Sequence, residues 1–305
     1  MRFLEGSHID VEERLDWKSM EAAGVDYTSP LPVTVSYLPE TDADVYLSLS
    51  PTMDNPVISK SVGGKAELMN LFIGRRYYLC VKSGSVFSRT VSFDTDARPP
   101  RLIKIDGMYN FRDLGGRTAA AGRKIRQGLI YRGCEPNGHT EISENGVREL
   151  VRLGVKTELD LRGIGDQARR SIDGIGYVNI PIRPYSEIFE PRIMTQYRRL
   201  FRFLLDADAY PLFFHCWGGA DRTGTLAFLL CGLLGMPEDD LIMDYEFTSF
   251  MLWGRRSRNL EVAADGVKEL KRRYGEDTAC ACAGYFTECG ITEDELARFT
   301  AMMLE

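Results

Sequence analysis

The sequence predicts a small all-β sandwich followed by an α/β domain. Between residues 30 and 96, short runs alternate apolar and polar residues and are separated by Pro, Asp, Asn and Gly, as in antiparallel strands. Pro99 and Pro100 then end that pattern and stiffen the chain. Beyond residue 100, strand-like and helix-like runs alternate, which is typical of a sheet flanked by helices. We therefore expect one domain at residues 1–98 and a second at residues 99–305.

The composition is that of an ordinary globular protein. The chain has 305 residues, of which 44% are hydrophobic and 27% charged, so it can bury a sizeable core. Its longest apolar run, at residues 226–234, is under half of the roughly 20 residues that span a bilayer. Acidic residues stand near the N-terminus where a signal peptide would be apolar. We expect a cytoplasmic protein without stable membrane insertion, or a secreted or periplasmic one if a leader has been removed.

Charge and metal-ligand content exclude several function classes. The net charge of −6 argues against broad binding to nucleic acid or anionic membrane. Three histidines and seven cysteines without a C-x-x-C pair argue against a histidine-rich metal centre, structural zinc and a disulfide framework. We expect no cofactor, no metal and no nucleic-acid partner. The sequence leaves the oligomeric state open.

The N-terminal strand pattern has the spacing of a β-sandwich. Its five runs are LPVTVSYL, ADVYLSLS, AELMNLFI, RRYYLCVKSG and SRTVSFDT. They resemble a fibronectin-III or immunoglobulin-like domain, although the Cys and Trp spacing of a true immunoglobulin domain is missing. We expect a docking or spacer module here, and the alternative is a glycan- or partner-binding domain, which no particular residue supports.

The α/β part contains recognisable strands and helices. Apolar runs predict strands at residues 126–131, 155–161, 176–182 and from 212 onward. Helical periodicity predicts helices at residues 143–153, 192–206, 238–250, 259–274 and 292–304. Thr292 with Glu295 makes a capping box for the last of them.

A polar, glycine-bearing loop joins a strand to a helix within residues 212–235, LFFHCWGGADRTGTLAFLLCGLLG. A thiol such as Cys216 is a poor nucleophile at neutral pH unless its thiolate is stabilised. The N-terminal amides of the following helix offer unpaired donors and a partial positive charge, and Arg222 adds a full charge. Cys216 therefore stands where a thiolate would form.

The same loop can hold a tetrahedral dianion. Arg222 can grip two oxygens while the backbone amides between Cys216 and Arg222 point inward, and Gly218 and Gly219 permit the tight turn. Phosphate suits such a cradle. Attack by Cys216 would give a phosphocysteine, which water then hydrolyses, with Thr223 placed to hydrogen-bond the thiolate. A carboxylic acid should stand near the loop to protonate the leaving oxygen.

Residues 215–224, His-Cys-x5-Arg-Thr-Gly, resemble the signature loop of the protein tyrosine phosphatase superfamily. The segment NFRDLGG at 110–116, with YRG at 131–133, DLR at 160–162 and Asp244-Tyr245, is similar to the bacterial and fungal branch, which includes secreted mycobacterial enzymes acting on phosphotyrosine and phosphoinositides. The resemblance covers residues 101–305. It implies the cysteine-phosphatase fold and a metal-independent phosphatase.

Several carboxylates compete for the role of general acid. No Trp-Pro-Asp tripeptide is present, so the acid loop of the better-known tyrosine phosphatases is missing. The resemblance implies Asp221, inside the signature loop. Asp113 is an alternative, as are Glu187 and Glu190 in the segment at 184–191.

The remaining site candidates have two interpretations each. We assign phosphate or substrate contact to Trp217, Gly218, Gly219, Ala220 and Arg112, although Trp217 could equally pack and Arg112 and Asp113 could equally buttress the pocket. His215 is expected to order the loop through the backbone near Cys216. Asp160 and Arg162 are expected to form an internal salt link.

Phosphotyrosine in proteins is the expected substrate. Ala220 replaces a lysine that is common in the branch and would contact a highly charged inositol headgroup. The alternatives are a phosphoinositide, inositol-phosphate or other small-ester phosphatase with the same mechanism, a sulfur-transfer or arsenate-reducing enzyme, and a non-catalytic phosphate-binding module.

Overall fold

The computed structural model describes residues 29–163, 172–250 and 257–305. These residues belong to two compact units, Ser29–Ile103 and Lys104–Glu305. The first is rich in β-strands and the second mixes strands with helices, so the predicted fold class is confirmed. A domain boundary at residues 98 and 99 and the fibronectin-like character of the first domain stay predictions.

The N-terminal unit contains two antiparallel sheets. Its strands are β1 (Val33–Ser36), β2 (Ala43–Ser48), β3 (Val57–Ser61), β4 (Lys65–Leu68), β5 (Arg76–Ser83), β6 (Val86–Phe87) and β7 (Val91–Asp94). Strand β1 pairs with β4, the order β3-β2-β5-β6 makes the other sheet, and β7 also pairs with β5. Because successive side chains of a strand point to opposite faces, Val45, Leu47 and Leu79 point into a shared hydrophobic core. Four of the five predicted runs contain one of these strands, the run at residues 66–73 overlaps β4, and β3 and β6 were not predicted.

The second unit is built on a five-stranded sheet. Its strands are β8 (Arg112–Asp113), β9 (Ile130–Gly133), β10 (Thr157–Asp160), β11 (Gly176–Asn179) and β12 (Leu212–His215), in the order β11-β10-β12-β9-β8. Strands β9 to β12 are parallel, and β8 is antiparallel at one edge. Strand β12 is central and all four of its residues are buried, which explains its unbroken apolar run before His215.

Seven α-helices occur in the described part of this unit. They are α1 (Glu144–Arg152), α2 (Pro191–Phe203), α3 (Asp221–Leu233), α4 (Glu238–Glu246), α5 (Ser257–Tyr274), α6 (Thr278–Glu288) and α7 (Glu293–Met303). The capping box of Thr292 and Glu295 is present at α7, as predicted. Helix α6 was not predicted, because its residues are small or apolar around much of its circumference and show little amphipathic period.

The core positions the loop that follows β12. Helix α2 contributes Tyr197, Leu200 and Phe201, all fully buried as their helical spacing predicts. Helix α3 is buried over most of its length. Because its position is set by this packing, its first residue also sets the position where the loop ends. Within the chain that the structure describes, no helix is long and apolar enough to cross a lipid bilayer.

Candidate active site

The candidate site is the loop at residues 216–220, between the end of β12 and the start of α3. Cys216 is the first residue after the strand and is 3% exposed. Parallel strands end at a common edge of the sheet, and the next helix begins five residues later, so the loop curls over the helix N-terminus.

The first four carbonyl groups of this loop all accept hydrogen bonds from surrounding residues. The donors are His215 Nδ1 to Cys216 O at 3.0 Å, Glu135 N to Trp217 O at 2.8 Å, Asn110 Nδ2 to Gly218 O and Gly219 O at 3.0 Å each, and Arg132 Nη2 to Gly219 O at 2.7 Å. The carbonyls therefore point away from the mouth of the loop.

The orientation of the carbonyls decides where the amides point. In a planar trans peptide, the C=O of one residue and the N–H of the next point in opposite directions. The N–H groups of residues 217–220 must then face the mouth, and none of them donates to any residue that the structure describes. Four convergent amides next to a helix N-terminus form an anion-binding nest above Cys216.

Gly219 is required by both its backbone angle and its surroundings. Its φ is +66°, and a Cβ atom would lie 2.2 Å from the Gly133 carbonyl oxygen and 2.4 Å from the Gly133 carbonyl carbon. A side chain at this position would push the loop away from β9.

Gly219→Ala is expected to lower inorganic phosphate affinity and kcat/KM by about 100-fold, because misplacing a positioning group by about 1 Å costs that much. The matched control is Gly122→Ala, which has a similar φ of +73° but open space around its Cβ. Phosphate binding by titration calorimetry and steady-state kinetics measure both variants. Equal behaviour of the two variants would contradict the steric argument.

A buried charge cluster supports the loop from behind. Asp244 accepts from Arg112 Nε at 2.8 Å, from Arg132 Nη1 at 2.5 Å and from Arg117 Nη2 at 3.4 Å. Burial opposes the charge on Asp244, but attraction by the three guanidinium groups outweighs it and holds the pKa of this carboxyl well below its usual range. Three cations facing one anion leave a net positive charge, which favours an anion in the loop.

Arg112 has no exposed surface. Besides Asp244, its guanidinium donates to Asn110, whose own side chain holds the loop carbonyls. Burial, followed by repulsion from Arg132, lowers the pKa of Arg112 to about 10. Of the two roles considered for Arg112, these contacts favour buttressing over contact with phosphate.

Asp221 is the first residue of α3 and is half-buried. Its Oδ1 accepts a hydrogen bond from the hydroxyl of Tyr185, which in turn lies 2.6 Å from the hydroxyl of Tyr245. Tyr185 has a φ of +59°, a conformation uncommon for a residue with a side chain, and it starts the 3-10 turn Tyr185–Phe189. The two tyrosines thus fix the direction of the Asp221 carboxylate.

Asp113 is occupied in a different way. It is 1% exposed, and its two oxygens accept from Gly115 N at 2.7 Å and Gly128 N at 2.6 Å. Its strand partner is Tyr131, two residues before the end of β9. The Asp113 carboxylate therefore holds a turn at the sheet edge. Of the other two candidate acids, Glu187 is exposed and Glu190 accepts a hydrogen bond from Arg192.

Arg222 and Thr223 follow Asp221 in the first turn of α3. Arg222 is half-buried. Thr223 is fully buried, and its hydroxyl has no hydrogen-bond partner among the residues that the structure describes. A buried hydroxyl in that state is available to a group that enters the loop.

Trp217 lies at the rim, 39% exposed, and its ring stacks on His139 at 5.0 Å between centroids. His139 Nδ1 lies 2.9 Å from Glu135 Oε1. On the other side, Glu135 reaches Arg162 at 3.4 Å, and Arg162 forks onto Asp160, an internal salt link. One face of the Trp217 ring is thus packed while part of its surface remains accessible.

Sequence reasoning expected His215 to order the loop but gave no such role to four other residues that orient it, although Asn110 and Arg132 lie in the NFRDLGG and YRG segments. Asn110, Arg132, Glu135 and Glu158 are all at most 2% exposed and polar. The signal that could have found them is a charged or amide side chain inside an otherwise apolar or strand-like run, because such residues are rarely buried without a partner.

Parts of this chain are similar in sequence to known proteins. A model described as the tyrosine phosphatase family matches residues 103–305. A Cupriavidus necator protein with a tyrosine-protein phosphatase name is 29% identical over 170 residues, covering 47% of this chain and 61% of the relative. The triple specificity protein phosphatase PtpB of Mycobacterium tuberculosis is 23% identical over 278 residues, covering 66% of this chain and 98% of the relative.

Another relative is the tyrosine-protein phosphatase of Nostoc commune, 23% identical over 192 residues, with 48% of this chain and 65% of the relative covered. The chain thus spans under two thirds of the length of the Cupriavidus and Nostoc proteins. Among solved structures, Pseudomonas aeruginosa TpbA matches with a TM-score of 0.36 and 17% identity over 55% of this chain and 90% of TpbA. Since the family match covers well over half of its residues, this chain belongs to the tyrosine phosphatase family.

Proposed function

We propose that the protein is a cysteine-dependent phosphatase that hydrolyses phosphate monoesters, with phosphotyrosine in proteins as its preferred substrate. The observation that carries the proposal is the inward orientation of the four amides at residues 217–220, between Cys216 and the first turn of α3. Such a nest fits the three non-bridging oxygens of a phosphoryl group. Arg222, in the first turn of α3, would add a bidentate contact.

The reaction divides into two displacements. The Cys216 thiolate attacks phosphorus, an S–P bond forms, the P–O bond to the substrate breaks, and Asp221 gives a proton to the leaving oxygen. Water then attacks the phosphocysteine, Asp221 takes a proton from it, and the S–P bond breaks to regenerate the thiolate. Thr223, whose hydroxyl is buried without a partner in the described part of the chain, would donate to the departing thiolate.

Phosphotyrosine is favoured as substrate by an aromatic residue at the rim of the loop and by the names of two relatives. Trp217 offers an accessible aromatic surface beside the nest, which suits an aryl ester. Two relatives carry tyrosine-protein phosphatase names. Ala220 gives the loop no side-chain cation for a highly charged headgroup.

A broader substrate range is the second candidate, because the relative aligned over 98% of its own length is named a triple specificity phosphatase. A phosphate-release panel tests both candidates. It compares phosphotyrosyl, phosphoseryl and phosphothreonyl peptides, phosphoinositides and inositol phosphates in the presence of chelator. We expect phosphotyrosyl peptides to have the highest kcat/KM. A higher value for a lipid or inositol phosphate would overturn the substrate, and no release from any ester would overturn the enzyme.

The general acid is tested by leaving-group dependence. Asp221→Asn is expected to lower kcat on phenyl phosphate by about 100-fold or more, because phenoxide is a poor leaving group without a proton. The effect on p-nitrophenyl phosphate should be small, since that leaving group departs unprotonated. The acid must be protonated to act, so wild-type kcat falls as pH rises and the variant loses this basic limb.

Asp113→Asn serves as the matched control for this experiment. It removes a buried carboxylate that bonds two backbone amides, so it should lower stability and keep the same leaving-group dependence as the wild type. If Asp113→Asn loses the basic limb and Asp221→Asn keeps it, the assignment of the acid is reversed.

A further inference from the structure

His215 is held between Cys216 and a buried carboxylate. Its ring has no exposed surface, and Nδ1 lies 3.0 Å from the Cys216 carbonyl oxygen. On the opposite side, Nε2 lies 2.9 Å from Glu158 Oε1. Glu158 is in β10, and its strand partner in β12 is Phe213, so alternation puts its side chain on the same face of the sheet as His215.

The two hydrogen bonds limit where protons can be. A carbonyl oxygen only accepts, so Nδ1 must carry a hydrogen. At 2.9 Å, the contact between Nε2 and Glu158 needs one hydrogen between its two atoms, either on nitrogen facing a carboxylate or on a carboxylic acid facing nitrogen. In both arrangements the pair is electrically neutral, and in both the ring presents Nδ1–H to the loop.

Few other groups near His215 could fix the position of its ring hydrogens. Asp160 Oδ1 lies 4.0 Å from Nδ1, but that carboxylate is engaged by Arg162, and the Phe213 ring stacks on His215 at 5.5 Å. Glu158 is fully buried, and its second oxygen has no hydrogen-bond partner in the described part of the protein. Leaving a buried carboxyl oxygen unpaired is costly, so a structural filler at this position would be better served by an apolar side chain.

The hydrogen on Nδ1 of His215 affects the phosphate site through the peptide group between Cys216 and Trp217. With Nδ1–H holding the Cys216 carbonyl, the N–H of Trp217 must point into the nest, because the peptide is planar. A ring with its hydrogen only on Nε2 would place two lone pairs against each other at Cys216 and release this peptide.

We propose that Glu158 is a positioning residue of the loop, which shares one proton with His215, keeps Nδ1–H directed at Cys216 and so aims the Trp217 amide at the phosphate. The catalytic meaning of this role rests on the proposed function, while the proton arrangement itself does not.

The test compares Glu158→Gln with Glu158→Leu. The carboxamide N–H of glutamine can donate to Nε2 and preserve Nδ1–H, whereas leucine gives Nε2 no partner. We expect Glu158→Leu to lose about 100-fold in kcat/KM and in affinity for inorganic phosphate, and Glu158→Gln to stay within about tenfold of wild type. Glu144→Gln, at a position whose side chain is 93% exposed, is the matched control and should not change either quantity.

A spectroscopic readout is independent of turnover. The chain has three histidines, so imidazole ¹⁵N spectra of wild type, His8→Gln and His139→Gln assign the signals of His8 and His139 and leave those of His215. We expect Nδ1 of His215 to be protonated in the wild type and in Glu158→Gln. Circular dichroism melts show whether each variant is folded at the assay temperature.

Three results would overturn the proposal: a wild-type His215 protonated only at Nε2, a folded Glu158→Leu with wild-type kinetics and phosphate affinity, or equal losses in the glutamine and leucine variants. If the wild type hydrolyses no ester, the proposed function fails. The phosphate affinities and the ¹⁵N spectra then still decide the role of Glu158.

Discussion

Cys216→Ser is expected to lower the rate of phosphate release by about 10⁴-fold or more, as happens when the nucleophile is removed from a set of catalytic residues that act together. A serine hydroxyl does not ionise near neutral pH, whereas a thiol can become a thiolate beside a helix N-terminus and an arginine. The amides at residues 217–220 are untouched by the substitution. Affinity for inorganic phosphate should therefore stay within about threefold of wild type, a difference of under 1 kcal/mol.

The other cysteines provide the controls for this experiment. Cys280 is exposed on α6, and Cys280→Ser should leave kcat unchanged. Burial raises the pKa of Cys134 to about 11 and that of Cys231 to about 12, so neither should react readily with iodoacetamide at pH 7. Retention of phosphatase activity by Cys216→Ser would refute the thiolate mechanism. Loss of phosphate affinity together with activity would instead point to a collapsed loop.

Asp244→Asn is expected to reduce the free energy of unfolding by at least about 3 kcal/mol, because it leaves buried guanidinium groups without their counter-charge. Arg112 and Arg132 are fully buried and both bond this carboxylate. Arg132 also holds the Gly219 carbonyl, so phosphate affinity should fall with stability. Urea unfolding monitored by circular dichroism at pH 7 measures the first effect.

The stabilising effect of Asp244 should also depend on pH. The folded-state pKa of Asp244 lies well below the unfolded value of about 3.9. Its contribution is therefore complete above that unfolded value and is lost as pH falls toward the folded one. The difference between wild type and Asp244→Asn should shrink as pH is lowered from about 6 to about 3.

Asp265→Asn is the control, since that carboxylate is 72% exposed and pairs with a surface lysine. It should change the unfolding free energy by less than about 0.5 kcal/mol at any of these pH values. A loss in Asp244→Asn no larger than that of the control would show that the three arginines do not depend on this carboxylate.

Much of the fold follows from local sequence patterns. The alternating runs of the first unit, the apolar strand before His215, the helical spacing of Tyr197, Leu200 and Phe201, and the capping box at Thr292 all appear where the patterns predict them. Each depends on residues within one or two turns or strands of one another. Helix α6 was missed because a helix buried on most sides has no polar face to mark its period.

The sequence by itself determined the reactive segment: a cysteine and an arginine six positions apart, with glycines between them and a helix after them. Tertiary structure alone decided how that segment is held. The groups that turn its carbonyls outward come from Asn110, Arg132 and Glu135, and the partner of His215 is Glu158. All four of these residues lie between 57 and 109 positions from their partners in the chain. No local pattern encodes such contacts, because they exist only once parallel strands have been laid side by side.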